Sequence, residues 1–213
     1  MNKLRKLLWL LQSGQVATLA TLLRRWLYSD VRGIGLQRGL ELPIEARRPR
    51  HALTIRPISP HEREAFTATK GVQGDGALLR LNVRQLFATG LETCYVALIE
   101  DEIPVYIQYL VLPDQNDKVV EAFGESIPQL DQGEALLEFA FTLEQYRALG
   151  VMPHVFAELA KEAKSRGACR VVTWVGQPNP TMLRYLGRIG FVPFAIRTER
   201  YRLFRKTVRF ERV

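Results

Sequence analysis

Apolar positions recur at helical spacing across residues 1–29. Leu4, Leu7, Leu8 and Leu11 form one stripe, with Lys3, Arg5 and Lys6 near its start. Ser13-Gly14 interrupts it, and Val16, Leu19, Leu22, Leu23, Trp26 and Leu27 form a second, broken by Arg24 and Arg25. This spacing predicts two amphipathic helices. Residues 30–50 carry Gly33, Gly35, Gly39 and Pro43 and read as a linker. From His51 onward the pattern predicts a domain. Ala52 to Ile58 alternates as a strand, and helices are expected at about His61 to Thr69 and Leu78 to Ala88, joined by a glycine-rich loop over Gly71 to Gly76. Cys94 to Ile99 and Val105 to Leu112 read as a hairpin. Residues 113–133 are polar, with a short strand expected over Val119 to Phe123. A strand at Ala135 to Leu143, a turn, and a helix from His154 to Ser165 follow. Then come a strand at Arg170 to Val175, a helix opening at Asn179-Pro180 and closing at Gly190-Phe191, and a single basic strand from Arg197 to Arg209.

Read from the residues alone, this order supports a mixed α/β sheet domain over 51–213, preceded by a helical extension over 1–29 and a linker over 30–50. Composition is ordinary for a globular protein, with 47% apolar and 24% charged residues. Charge changes the picture. The chain carries a net +8, and residues 1–50 hold ten lysines and arginines against Asp30, Glu41 and Glu45, a net +7. A basic amphipathic helix bearing Trp fits a membrane interface, and fits packing on the domain or on a partner chain equally well. The apolar run from Leu7 to Leu11 is too short to span a bilayer, and no small-residue cleavage site follows it. Arg47, Arg48 and Arg50 lack the interleaved aromatic residues that stack on bases, so no nucleic acid is expected. Cys94 and Cys169 are the only cysteines. No CxxC or histidine cluster suggests a metal, and two reduced thiols fit a cytoplasmic protein.

The chemistry concentrates at Gln145-Tyr146-Arg147-Ala148-Leu149-Gly150-Val151-Met152-Pro153. A turn between a strand and a helix start presents unpaired N–H groups and the positive end of a helix dipole, and Arg147 adds a full charge. Pro153 suits a first helical turn. A diphosphate fits such a place.

This turn resembles the acyl-CoA pyrophosphate loop of the GNAT N-acetyltransferase superfamily, which reads Gln/Arg-x-x-Gly-x-Gly/Ala. Arg147 and Gly150 match, and Met152 stands at the last small position. The strand, Asn179, short helix and Gly190-Phe191 follow in the family's order and at its usual separation. The resemblance covers residues 135–194 and implies the mixed central sheet of that acyltransferase type with flanking helices. It further implies acetyl-CoA, or another acyl-CoA, as cofactor, and a small-molecule or peptide amine as acceptor. Backbone amides of Phe141, Thr142 and Leu143 would hold the pantetheine arm. Arg147, Ala148, Leu149, Gly150, Val151 and Met152 would hold the pyrophosphate, and Asn179 would touch the arm. The region of the first two domain helices shapes the acceptor side in the family. Glu138 stands where some members place a carboxylate, and burial would raise its pKa toward that of a general base. The residues on its face are expected to be Leu136 and Ala140, with Leu137 and Phe139 opposite. The family's proton-donating tyrosine usually stands one residue after Tyr185, at a position held here by Leu186, and Tyr185 is the nearest candidate. The alternative is a non-catalytic acyl-CoA-binding module of the same fold, docked through residues 1–29 to a membrane surface or a partner. A homodimer is left open.

Overall fold

The structure is a computed structural model and describes residues 7, 8, 11, 14, 16–46, 48–68, 72 and 74–213. Most of the first expected amphipathic helix lies outside these residues, as do Lys3, Arg5, Lys6, Ser13, Arg47, Thr69, Gly71 and Gln73. Eight strands form one mixed sheet in the order β2-β3-β4-β5-β6-β1-β7-β8. They are β1 (Tyr28–Gly39), β2 (Leu53–Pro57), β3 (Cys94–Ile99), β4 (Ile103–Val111), β5 (Glu134–Thr142), β6 (Arg170–Gly176), β7 (Val192–Arg202) and β8 (Arg205–Arg212). The described helices are α1 (Val16–Leu27), α2 (Arg63–Thr67), α3 (Gly74–Phe87), α4 (Asn116–Phe123), α5 (Val151–Ser165) and α6 (Pro180–Arg188). Among the described residues no helix is long and apolar enough to cross a membrane.

Each face of the sheet has its own core. On one, Val155, Phe156, Leu159 and Ala163 of α5 and Leu186 of α6 cover Val105, Tyr106, Leu137, Val171 and Val175. On the other, Phe66 of α2, Val83 of α3 and Val119 of α4 cover Val96, Ile107, Leu136, Phe141 and Trp174. β3 and β4 are buried on both faces over most of their length, which explains their near-continuous apolar runs.

The expected linker over 30–50 is instead part of the sheet and its covering. β1 lies between β6 and β7 and runs antiparallel to both. Its glycines hid it, because Gly weakens a strand and suggests a loop. Here bulky neighbours require them. A Cβ on Gly35 would stand 2.8 Å from the Trp174 ring and 2.9 Å from the Phe194 ring. The two aromatic side chains lie over the bare backbone and supply the packing that β1 lacks. After β1 the chain turns onto α5. Leu40 and Ile44 are buried, and Lys164 Nζ donates to the Glu41 carbonyl at 3.3 Å. At the other end of α5, Arg50 N–H donates to the Leu149 carbonyl at 3.1 Å. Residues 40–46 and 48–50 therefore run the length of α5, from its C-terminus to its N-terminus.

Two further expectations change. Val119 to Phe123 is helical, not extended: Val119 is buried, Phe123 stacks on Phe139 at 4.7 Å, and the Asn116 amide brackets the Leu130 backbone. The single basic strand at 197–209 is a hairpin of β7 and β8 that turns at Leu203-Phe204. α1 is the second expected amphipathic helix. It buries Leu19, Leu22 and Trp26 against Leu78 and Tyr201, so it packs on the domain.

A chain beginning at His51 would lose β1, bare the Trp174 ring and remove Leu36, Leu40 and Ile44 from the core. It is expected to give no cooperative thermal transition by circular dichroism. A sharp, reversible melt of residues 51–213 would show that β1 is dispensable.

Candidate active site

β5 and β6 are parallel and pair only from Glu134 to Leu136 against Arg170 to Val172. Beyond that point they part. The cause lies in β5. Between Ile107–Phe141 and Tyr109–Glu138 the β4–β5 register shifts, so that Phe139 and Ala140 oppose the single residue Gln108. Phe139 takes φ 58°, in the left-handed region. This is a β-bulge, and bulges bend the strand that carries them. It also overturns the expected alternation. Leu136, Phe139 and Phe141 pack in one core and Leu137 in the other, so Phe139, not Ala140, lies on the side of Leu136.

The gap between the strands is a cleft of about 360 Å³, lined among others by Tyr106, Gln108, Glu138, Thr142, Thr173 and Trp174. Met152, Asn179 and Met182 border it from the α5 and α6 side. Glu138 lies where the strands separate. Its Oε2 accepts a hydrogen bond from the Trp174 backbone N–H at 2.7 Å. The carboxylate thus replaces the ladder bond lost where β5 bends away. Desolvation pushes the Glu138 carboxyl up to about 7, against the opposing effects of the Trp174 N–H, the Arg197 charge and the Phe139 N–H. A carboxyl titrating there can take and return a proton near neutrality.

Thr142 pairs with Tyr106, while Leu143 N–H donates to the Val105 carbonyl at 3.0 Å. N–H directions alternate along a strand. The amides of Leu143 and Phe141 therefore face β4, and that of Thr142 faces the cleft. Of the three expected backbone contacts, only Thr142 remains open to a ligand. Phe141 and Leu143 instead bury their side chains in the α2–α4 core.

Past Leu143 a short 3-10 turn, Glu144–Tyr146, leads to Arg147, Ala148 at φ 62° and Leu149. Gly150, at φ 78°, is the N-cap of α5 and offers no side chain to cap it. The N–H groups of Val151 and Met152, in the first turn, have no intrahelical acceptor and face outward from the helix end. These donors fit a diphosphate. The fit is backbone-led, since Val151 is buried and Leu149 half-buried in the core. Arg147 is exposed and stands 3.7 Å from Glu144, whose other oxygen receives Arg80 at 3.0 Å. A Cβ on Gly150 would meet the Pro49 Cα at 3.4 Å. The segment expected to be a linker therefore brings Arg48 and Arg50 beside the loop.

Asn179 caps α6, its Oδ1 accepting the Met182 N–H at 3.1 Å, and its amide group remains free to donate. Tyr185 is not among the residues lining the cleft. Its hydroxyl donates to the Pro153 carbonyl at 3.4 Å, and desolvation pushes it up to about 12. Leu186 is fully buried. The tyrosine that does line the cleft is Tyr106, whose hydroxyl donates to Gln108 Oε1 at 2.8 Å. Burial, then the charges of Tyr185 and Glu138, hold the Tyr106 phenol well above its ordinary range. Sequence reasoning missed Tyr106 and Gln108. The available signal was a glutamine inside an otherwise apolar buried strand, which demands a polar partner. Among the described residues no group of three His, Cys, Asp or Glu could hold a metal.

A family profile described as the acetyltransferase (GNAT) family matches residues 61–191. No curated protein sequence matches the chain. Many solved structures share its fold, among them the following three. A conserved protein of unknown function from Staphylococcus epidermidis has 14% identity over 84% of this chain and 64% of its own, with a TM-score of 0.54. A GCN5-related N-acetyltransferase from Sphaerobacter thermophilus has 15% identity over 91% of this chain and 55% of its own, at 0.50. A GNAT-family acetyltransferase from Colwellia psychrerythraea has 14% identity over 91% of this chain and 61% of its own, at 0.51. The chain thus spans less than two thirds of the length of each of these proteins.

The Glu138 environment gives a stability prediction. Its carboxyl titrates near 7 when folded, against an ordinary value of 4.5. Between those values the folded chain binds more protons than the unfolded one, so stability falls as pH rises through that window. Glu138→Gln removes this penalty. By urea unfolding the variant should gain up to about 3 kcal/mol over the parent at about pH 8, and nothing from this source at about pH 4. An equal offset at both pH values would mean that the carboxyl titrates normally.

Proposed function

The chain belongs to the GNAT acetyltransferase family, and from that premise we propose that it transfers an acyl group from acyl-CoA, in the simplest case acetyl from acetyl-CoA, to a primary amine by direct attack. The observation that carries the reading is the parting of β5 and β6 at a carboxyl poised near neutrality, beside a helix N-terminus that no side chain caps among the described residues.

Acyl-CoA supplies a thioester carbonyl that the amine nitrogen attacks as the C–S bond breaks. This chain's residues bind, orient and move protons. The first-turn amides of α5 and Arg147 hold the diphosphate, with Arg48 and Arg50 adding positive field. The Thr142 backbone and the Asn179 amide align the arm along the cleft. Glu138 takes the proton that the attacking amine loses. Tyr106 and Tyr185 both stay protonated. Tyr106, in the cleft lining, can turn its hydroxyl from Gln108 Oε1 toward the departing sulfur, while Tyr185, held on the Pro153 carbonyl, lies outside the cleft lining. The acceptor reaches Glu138 from the opposite face. There a cavity of about 640 Å³ shares Trp174 with the cleft and is lined by Phe194, Phe210, Asp131 and Glu134. Glu134 pairs with Arg170 in that wall at 2.7 Å, and the aromatic side suits an amine with an apolar body, either a small molecule or a peptide.

A second reading, a non-catalytic acyl-CoA-binding module of the same fold, is favoured by Met152, which narrows the cleft from α5, and by buried Leu186. Thiol release from acetyl-CoA in the presence of an amine panel separates the two.

Removal of a positioned base costs ~10²–10⁴ in rate. Glu138→Gln should bind CoA like the parent, lose turnover on that scale, and lose the rise in rate through about pH 7 seen with the parent. Turnover equal to the parent's with a working acceptor would remove Glu138 from the mechanism. Arg147→Ala should weaken CoA about tenfold by calorimetry, the loss of one charge-assisted contact. Unchanged affinity would move the diphosphate away from Arg147.

A further inference from the structure

The turn between β7 and β8 is strained and apolar. Leu203 and Phe204 take φ 48° and 66°. Hairpin turns with two left-handed residues favour Asn-Gly, because a Cβ is disfavoured there. Here a leucine and a phenylalanine occupy both positions, and Leu203 is 77% exposed. Strain of this kind persists where a function or the surrounding structure holds it in place. The surroundings do hold it. Leu203 N–H donates to the Leu27 carbonyl at 2.8 Å and Phe204 N–H to the Trp26 carbonyl at 2.9 Å, and the Phe204 and Trp26 rings meet at 6.4 Å. The hairpin tip is thereby fixed to the C-terminus of α1, where Leu27 and Tyr28 are also exposed. Four exposed apolar side chains stand together where the end of α1, the start of β1 and the hairpin tip meet.

Cations surround them. Arg24 and Arg25 occupy the last turn of α1, and Arg202 faces Arg205 across the hairpin next to the tip. Like charges directly opposite are unfavourable without a counter-charge. Asp30 binds Arg200 and Arg202, and Glu199 binds Lys206, but among the described residues Arg24, Arg25 and Arg205 make no ion pair. No acid occurs in residues 1–29 or 200–210.

We propose that this tip docks the protein on an anionic phospholipid bilayer, with Leu203, Phe204, Leu27 and Tyr28 entering the interface and the arginines meeting the headgroups. The charge pattern favours lipid over a second copy of the chain. A two-fold contact would set the arginine clusters against one another, and four side chains fall far short of the roughly 800 Å² per partner of a stable interface. Aromatic residues and arginines around a small apolar tip are the composition of an interfacial anchor.

The test is sedimentation of the full chain with vesicles of phosphatidylcholine, with and without phosphatidylglycerol. Binding is expected only with phosphatidylglycerol, and is expected to weaken as salt rises. Leu203→Asn should keep or raise the melting temperature, because Asn tolerates the left-handed turn, and should weaken vesicle binding about tenfold. Arg205→Glu should weaken it comparably, and Leu203→Trp should restore it. Thiol release in solution should be unchanged in all of these variants. The proposal is overturned if the parent ignores phosphatidylglycerol vesicles. It also fails if both weakening variants bind like the parent, which would assign binding to residues 1–15. A third contrary result is a parent dimer that Leu203→Asn converts to monomer, which would make the tip a self-interface.

Discussion

Two parallel strands that stop pairing define this molecule. β5 and β6 hold together through Leu136 and Val172 and then diverge. Divergence leaves backbone groups without ladder partners inside a protein, at a cost of the order of a lost hydrogen bond for each. The Glu138 carboxylate meets that cost at Trp174 N–H, over 2.7 Å. The same bond holds a carboxyl where burial raises its pKa. One contact therefore keeps the cleft open, satisfies its wall and places a titrating group at its throat. Because the amide also opposes the shift, the carboxyl settles near neutrality instead of staying permanently protonated.

The rest of the sheet makes this opening affordable. β6 loses β5 on one side beyond Val172 but keeps β1 on the other, from Gly33 to Gly39. β1 in turn joins β7 and β8 to the body of the sheet. Trp174 links these features. Its backbone serves Glu138, its ring covers Gly35, and it stacks edge-on with Phe194 and Phe210 beside the Arg197 guanidinium. The chain after β1 then lies along α5 and reaches the loop at Gly150. The segment that completes the sheet thus also flanks the proposed cofactor site.

Much of this was legible in the sequence. The strand, turn and helix around Arg147 and Gly150 carry local signals: apolar alternation, a glycine at a positive φ and a proline in the first helical turn. Asn179 before Pro180 marks a helix start by capping chemistry, and the structure has that cap. What escaped was non-local. Gly33 and Gly35 look like linker residues until Trp174 and Phe194, remote in sequence, are seen to cover them. The bulge at Phe139 leaves no mark, because a phenylalanine is a poor signal for a left-handed residue, and one added residue reverses every face assignment after it. Arg48 and Arg50 reach the loop only because Leu40 and Ile44 pin their segment to α5. The hairpin at Leu203-Phe204 lacks the usual turn residues and so read as continuous strand.

The account rests on the Glu138–Trp174 contact lying in a low-dielectric throat, and the Trp174 backbone amide reports on it directly. Its resonance can be followed by heteronuclear NMR as pH is varied on the full chain without ligand. The account predicts a titrating shift with a midpoint at about 7, abolished in Glu138→Gln. A midpoint near the ordinary carboxyl value of 4.5, or no titration at all, would contradict it.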